Sequence, residues 1–188
     1  MKIGLAGAHS VGKTTLLNAL RSESCFKHYK VCDEVTRQVR AMGLNINEGG
    51  DDKTQHMIML KHLENVFMNN NMITDRTALD CLVYTRYLWK NGKVSSNTSN
   101  YIVEMFSKIW HCYDIVFYIE PEFDMEDDGV RSTDITFRDD IVEEFKQVIA
   151  ELQLHKDSFF YLTGSVVNRV NRVKEIYEGM QYGGYGKI

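Results

Sequence analysis

Five short apolar runs punctuate the chain at Lys2 to Ala6, Tyr29 to Cys32, Asn71 to Thr74, Ile115 to Ile119 and Phe159 to Leu162. Each is strand-length and is followed by polar or glycine-rich residues, the pattern of a buried strand that ends at a loop. Between them the apolar positions recur at helical spacing. Val11 to Leu20 continues from a glycine turn, and Met59, Leu63, Val66 and Phe67 mark a face of a later helix. Two further stripes are Ile141, Phe145, Val148, Ile149 and Leu152, and then Val166, Val170, Val173 and Tyr177. Strands alternating with helices predict right-handed crossovers. The fold class is therefore α/β, with a five-stranded, mainly parallel sheet, helices on both faces, and chemistry at the C-terminal strand ends. The polar stretch Ser95 to Asn100 reads as a connection between helices. A mobile lid is expected at about residues 121–140, where Glu120 to Thr133 is irregular, and a flexible tail at about residues 180–188.

With 188 residues, 44% of them hydrophobic, the chain is expected to form one domain over residues 1–188. A net charge of -4 gives no broad basic surface, which argues against long nucleic acid and acidic membranes as partners. No apolar run has the length of a membrane span. Cys25, Cys32, Cys81 and Cys112 are scattered without the close pairs of zinc or redox motifs, so they read as reduced thiols of a cytoplasmic protein. Met1 and Lys2 run directly into the first strand, so no signal peptide is expected.

The most specific feature lies at the first strand end. Gly7-Ala8-His9-Ser10-Val11-Gly12-Lys13-Thr14 fits G-x-x-x-x-G-K-[ST] between a strand and a helix, and Thr15 continues it. Gly7 and Gly12 allow the backbone to wrap its N–H groups around phosphate oxygens, and the helix N-terminus adds positive potential. Lys13 neutralises β- and γ-phosphate charge, and Thr14 offers a hydroxyl to Mg²⁺. ATP and Mg²⁺ are the expected cofactors. His9 and Ser10 either touch phosphate or face solvent.

Two more strand ends carry polar clusters, Asp33-Glu34-Val35-Thr36-Arg37 and Asp75-Arg76-Thr77-Ala78-Leu79-Asp80. Phosphoryl transfer needs a group to position the acceptor hydroxyl, a carboxylate near Mg²⁺ and cations on the migrating phosphoryl group. Glu34 and Arg37, at i,i+3, share a helix face and suit the acceptor side. Asp75 suits the Mg²⁺ shell and Arg76 the acceptor or phosphate. Asp33 and Glu34 equally suit helix capping, and Asp75 with Arg76 a structural ion pair. Asp80 and Tyr84 are acceptor-contact candidates further along, as are Gln55, Asp51, Arg40, Tyr87 and Trp89. After the last strand, Thr163-Gly164-Ser165 with Asn168 and Arg169 suits either an adenine site or a cap by Ser165.

These marks resemble the P-loop small-molecule kinases, a group that includes the ribosylnicotinamide kinase domain of the bacterial NAD-biosynthesis regulator and proteins labelled AAA-type ATPases. The resemblance covers nearly the whole chain. It rests on Gly7 to Thr15, Asp33-Glu34-x-x-Arg37, Gln55, Asp75-Arg76 with Asp80 and Tyr84, Tyr113-Asp114, Asp128-Gly129-Val130-Arg131 and Phe137-Arg138. Asp75-Arg76 is also similar to the D-R or E-R motif of thymidylate and deoxynucleoside kinases. The resemblance implies the P-loop NTPase fold with a lid, a base or acceptor clamp at Glu34, and lid arginines at Arg131 and Arg138 that close over the triphosphate. A solvated charge face is the alternative for that pair.

The function expected is ATP-dependent phosphotransfer to a nucleoside or nucleoside monophosphate, with a small-molecule partner and room for a homodimer. Two alternatives remain at this level. One is a P-loop ATPase or nucleotide-sensing switch, in which Tyr29 to Glu34 is a Walker B strand. The other is a kinase acting on a modified base in DNA. No guanine-reading N-K-x-D is present, since His155-Lys156-Asp157 only echoes it.

Overall fold

All five expected runs are strands, at β1 (Lys2–Ala6), β2 (Lys30–Cys32), β3 (Met72–Asp75), β4 (Ile115–Ile119) and β5 (Phe159–Leu162). The computed structural model describes residues 1–33, 35–122, 135–154 and 158–181. The strands form one parallel sheet in the order β2-β3-β1-β4-β5. β1 lies between β3 and β4, with Leu5 opposite Asp75 and Ala6 opposite Tyr118. Helices cover both faces of a parallel sheet, so its central strands read as continuous apolar runs. Every residue of β3 and β4 is buried, including the polar Thr74 and Asp75.

The described helices are α1 (Lys13–Arg21), α2 (Val35–Ala41), α3 (Asp52–Met68), α4 (Ala78–Lys90), α5 (Ser96–Ile109), α6 (Ile135–Glu151) and α7 (Val166–Gln181). Three expectations change here. Ser96 to Asn100 is helical, because Ser95 caps α5 by accepting from Thr98 N at 3.2 Å and the apolar face begins only at Ile102. On α3 the buried stripe is Ile58, Met59, His62 and Val66, and Phe67 is 65% exposed. On α6, Ile141, Phe145, Val148 and Ile149 are buried, whereas Leu152 lies beyond the helix end and is 42% exposed.

The sheet order places the loops after β1 and β3 side by side, and two polar devices hold α4 in place beside them. Thr77 and Asp80 form a capping box at the start of α4, which fixes that helix N-terminus against β1. Arg86 and Lys90 of α4 both pair with the buried Glu144 of α6, the lysine at 2.6 Å. That link holds α6, and with it Phe137, over the loop after β1. All four cysteines are free thiols, and burial pushes the Cys81 thiol up to about 12. Among the described residues, no helix is long and apolar enough to cross a membrane.

Candidate functional site

The loop from Gly7 to Gly12 leaves β1 in a conformation that side chains resist. Gly7 has φ 144° and Gly12 φ 88°, and Ser10 also sits at positive φ. A Cβ on Gly7 would lie 2.6 Å from the Ile119 carbonyl oxygen of the neighbouring strand β4. Lys13 Nζ, buried at the first residue of α1, donates to the carbonyls of Gly7 at 2.7 Å and Ala8 at 2.5 Å. Its charge is thus held beneath the loop, within reach of whatever the loop's N–H groups bind. Ala8, His9 and Val11 are buried, whereas Thr15 faces solvent.

β3 supplies the facing wall. Thr14 Oγ1 donates to Asp75 Oδ2 at 2.5 Å. Among the described residues there is no cluster of three metal-ligating side chains. The two oxygens nonetheless suit Mg²⁺, a hard cation that takes one or two protein oxygens when phosphates and water supply the rest. Because β3 adjoins β1 and β2 does not, the carboxylate beside the loop hydroxyl is Asp75. Of the alternative Walker B run, Tyr29 to Glu34, the strand lies at the sheet edge and Asp33 pairs with Arg21, while Glu34 lies outside the described residues.

Arg76 follows in a strained conformation, φ 78°, and donates its N–H to the Leu5 carbonyl at 2.9 Å. Its guanidinium is 3.7 Å from Asp80 Oδ1 and lies over the Tyr84 ring, 5.0 Å from the centroid. Asp80 and Tyr84 in turn hold the phosphate loop. Asp80 Oδ1 accepts from Gly7 N at 3.2 Å, and the Tyr84 hydroxyl accepts from His9 N at 3.0 Å. Burial pushes the Asp80 carboxyl and the Tyr84 phenol up, while Lys13 and Arg76 pull the Asp80 carboxyl back down. The His9 ring bonds the same hydroxyl through Nδ1 at 3.1 Å and stacks on Phe137, with centroids 5.1 Å apart.

On the far side of Arg76 is a cleft lined by Thr36, Asn47, Gln55, Ile58, His62, Arg76, Asp80, Cys81 and Tyr84. It is narrow, with about 20 Å³ open to a water molecule, room for about one. Gln55 is buried, and its Oε1 accepts from Thr85 Oγ1 at 2.9 Å. The expected acceptor residues Gln55, Arg76, Asp80 and Tyr84 therefore converge.

Others stand apart. Asp33 is exposed and pairs with Arg21 at 3.3 Å, because it precedes α2 on the solvent side of the edge strand. Arg37 is half-buried on α2 and does not line the cleft, and Arg40 is exposed. Asp51 caps α3 by accepting from Thr54 N at 2.8 Å. Tyr87 packs on Phe137, and Trp89 is largely exposed and donates to Ser96 Oγ. Arg138 is mostly buried, 3.6 Å from Asp139. Glu34, Arg131 and residues 123–134 of the expected lid lie outside the described residues, as do residues 182–188 of the tail.

Two site residues carry more than their sequence signal suggested. Arg169 of α7 is 1% exposed and donates to the Val11 carbonyl at 2.8 Å, and it pairs with Glu122 at 3.0 Å. Glu122 also accepts from Gly164 N at 2.6 Å, so the loop after β5 is clamped to the phosphate loop. Ser165 caps α7 through Asn168 N at 3.3 Å. The second residue is His62, wholly buried in the cleft wall. Each fills an apolar stripe at helical spacing, His62 between Ile58 and Val66 and Arg169 between Val166 and Val173. That interruption was the signal available.

A family model described as an AAA domain matches residues 2–169. No curated protein matches the sequence significantly. Solved structures do. A deoxyadenosine kinase from M. mycoides with dCMP and dCDP bound is 13% identical with a TM-score of 0.70, covering 96% of this chain and 100% of that one. NadR protein in complex with NR is 18% identical with a TM-score of 0.72, covering 93% of this chain and 51% of that one. Thymidylate kinase from Candida albicans is 13% identical with a TM-score of 0.66, covering 96% and 92%. At these identities the likeness establishes the P-loop NTPase fold. The chain spans about half the length of the NadR chain.

Proposed function

We propose that this chain, which belongs to the AAA domain family matched over residues 2–169, is an ATP-dependent phosphotransferase acting on a nucleoside or nucleoside monophosphate. The observation that carries the reading is a shared wall. Asp80 and Tyr84 hold the N–H groups of Gly7 and His9, and the same two side chains line the cleft beyond Arg76. A nucleotide on the loop and an acceptor in the cleft would meet across Arg76. A simple hydrolase has no need of that second cleft. The relatives named as deoxyadenosine and thymidylate kinases support the same reading.

In this scheme the loop N–H groups other than those of Gly7 and His9 hold the ATP phosphates together with Lys13, which exchanges the Gly7 and Ala8 carbonyls for phosphate oxygens. Thr14 and Asp75 would hold Mg²⁺, which when bound offsets phosphate charge. Arg76 stabilises charge on the transferring group and orients the acceptor. The acceptor oxygen forms its bond to the γ-phosphorus as the bond to the ADP oxygen breaks. By family resemblance the acceptor's proton, if it has one, passes to Glu34. By the same resemblance Arg131 would belong to a lid that closes over the triphosphate and excludes water, whereas Arg138, expected in that lid, stands on helix α6 and would reach the triphosphate from there. The cleft, with room for about one water molecule, would have to widen for the acceptor to enter. Residues 1–188 act as one domain, and the free thiols suit a reducing cytoplasm.

The test is an ATP-consumption screen with nucleosides, nucleoside monophosphates and ribosylnicotinamide. Turnover that requires one of them supports the kinase. Equal hydrolysis without an acceptor identifies an ATPase, and binding without turnover a sensor.

A further inference from the structure

His62 is a costly residue for the place it occupies. It is 0% exposed on the buried face of α3, and neither Nδ1 nor Nε2 has a hydrogen-bond partner among the described residues. Native interiors leave few such atoms unpaired, because each loses its water without compensation. A leucine or methionine would continue the stripe of Ile58, Met59 and Val66 without that loss. The imidazole nevertheless lines the cleft that also contains Gln55 and Arg76.

The surroundings set its chemistry. Burial, and then the nearby Arg76 charge, pull the His62 pKa down to about 3. The ring is therefore neutral at ordinary pH, with one N–H donor and one lone-pair acceptor. Gln55 lies two turns earlier on the same helix face. Its Oε1 is occupied by Thr85, which leaves the amide nitrogen to donate. The ionisable neighbours among the described lining residues are Arg76, Asp80, Cys81 and Tyr84; Asp80 is already engaged by Arg76, Thr77 and Gly7, and burial keeps the Cys81 thiol and the Tyr84 phenol protonated. The wall thus combines neutral donors and acceptors with a fixed positive charge.

We propose that His62 is a specificity-determining residue whose ring nitrogens hydrogen-bond the uncharged heterocycle of the acceptor, so that the cleft selects neutral nucleobases over a cationic ring. This rests on the reading of the cleft as the acceptor site. The buried guanidinium that opposes a proton on His62 also opposes a positive charge on a ligand ring beside it. A pyridinium nucleoside such as ribosylnicotinamide is disfavoured on that ground.

The experiment is calorimetric titration of the full chain with a non-hydrolysable ATP analogue, and then with thymidine, deoxycytidine, deoxyadenosine, deoxyguanosine, their 5'-monophosphates and ribosylnicotinamide. At least one neutral-base probe should bind more tightly than ribosylnicotinamide. His62→Leu should weaken that probe by about tenfold or more while leaving the ATP analogue unchanged and raising the melting temperature. His62→Gln keeps a donor and an acceptor and should stay within a few-fold of wild type. Unchanged probe affinity in His62→Leu would overturn the inference alone, as would ribosylnicotinamide binding best or no neutral probe binding. Failure of the wild-type chain to bind the ATP analogue would remove the kinase reading, and this inference with it.

Discussion

Thr14 Oγ1 donates to Asp75 Oδ2 at 2.5 Å, joining residues 61 positions apart in the chain. The bond links the first turn of α1 to the end of the neighbouring strand. In the proposed scheme this is where a hydroxyl and a carboxylate would meet a metal–phosphate complex. Asp75→Asn should lower kcat by roughly 10²–10³, the scale for removing one preorganised charged group, and raise the Mg²⁺ concentration needed for half-maximal rate. Measurement of the rate against Mg²⁺ checks this. A normal metal requirement in the variant would reduce Asp75 to a structural partner of Thr14.

Gly7→Ala tests the loop's backbone. Its φ of 144° and the 2.6 Å approach of Ile119 oxygen leave no room for a methyl group. Strain on the order of 1–3 kcal/mol should lower the melting temperature by roughly 5 °C. ATP binding should weaken as well, because the loop must shift to relieve the contact. An unchanged melting temperature would show that the loop yields freely.

Tyr84→Phe separates the two substrates. The variant keeps the ring under Arg76 but loses the hydroxyl that accepts from His9 N. Loss of about 1 kcal/mol of loop ordering should raise the KM for ATP roughly fivefold, with a smaller effect on the acceptor. The opposite split in steady-state kinetics would return Tyr84 to the acceptor side alone.

His62 gives a pH signature. Its pKa is about 3 in the fold against an ordinary 6.5, so the unfolded chain binds the additional proton between those values. Stability is therefore lost as pH falls below about 6.5, at up to about 1.4 kcal/mol per pH unit from this group. The Arg76 charge acts on the ring, and Asp80, Cys81 and Tyr84 are the other described ionisable groups of the cleft. Urea denaturation at pH 7, 6 and 5 should show a shallower loss in His62→Leu than in wild type. Parallel slopes would mean that the ring is protonated at little cost.

The sheet was readable from apolar runs because parallel strands buried on both faces leave little polar residue to confuse the pattern. The phosphate loop was readable because its constraints are local. Asp75, Arg76, Asp80, Tyr84 and Gln55 were legible as candidates, but not as parts of one wall. Only the crossover that sets β3 beside β1 brings Asp80 to Gly7 and Tyr84 to His9. Asp33 misled because a strand-end carboxylate looks the same in sequence whether it faces a cleft or, as here, Arg21 and solvent. His62 escaped for the opposite reason, since a polar side chain inside an apolar stripe does not show in the pattern of apolar positions. Arg169 was legible as an adenine-site candidate, but its hold on Val11, 158 positions away, was not.

The most direct measurement is ADP release by wild-type protein and Lys13→Ala, with ATP, Mg²⁺ and the nucleoside and nucleoside monophosphate panel. Wild type should release ADP only when an acceptor is present, in step with the phosphorylated product, and Lys13→Ala should fall by roughly 10²-fold or more. Full activity in Lys13→Ala, or ADP release that ignores every acceptor, would contradict a phosphotransferase built on the loop from Gly7 to Thr14.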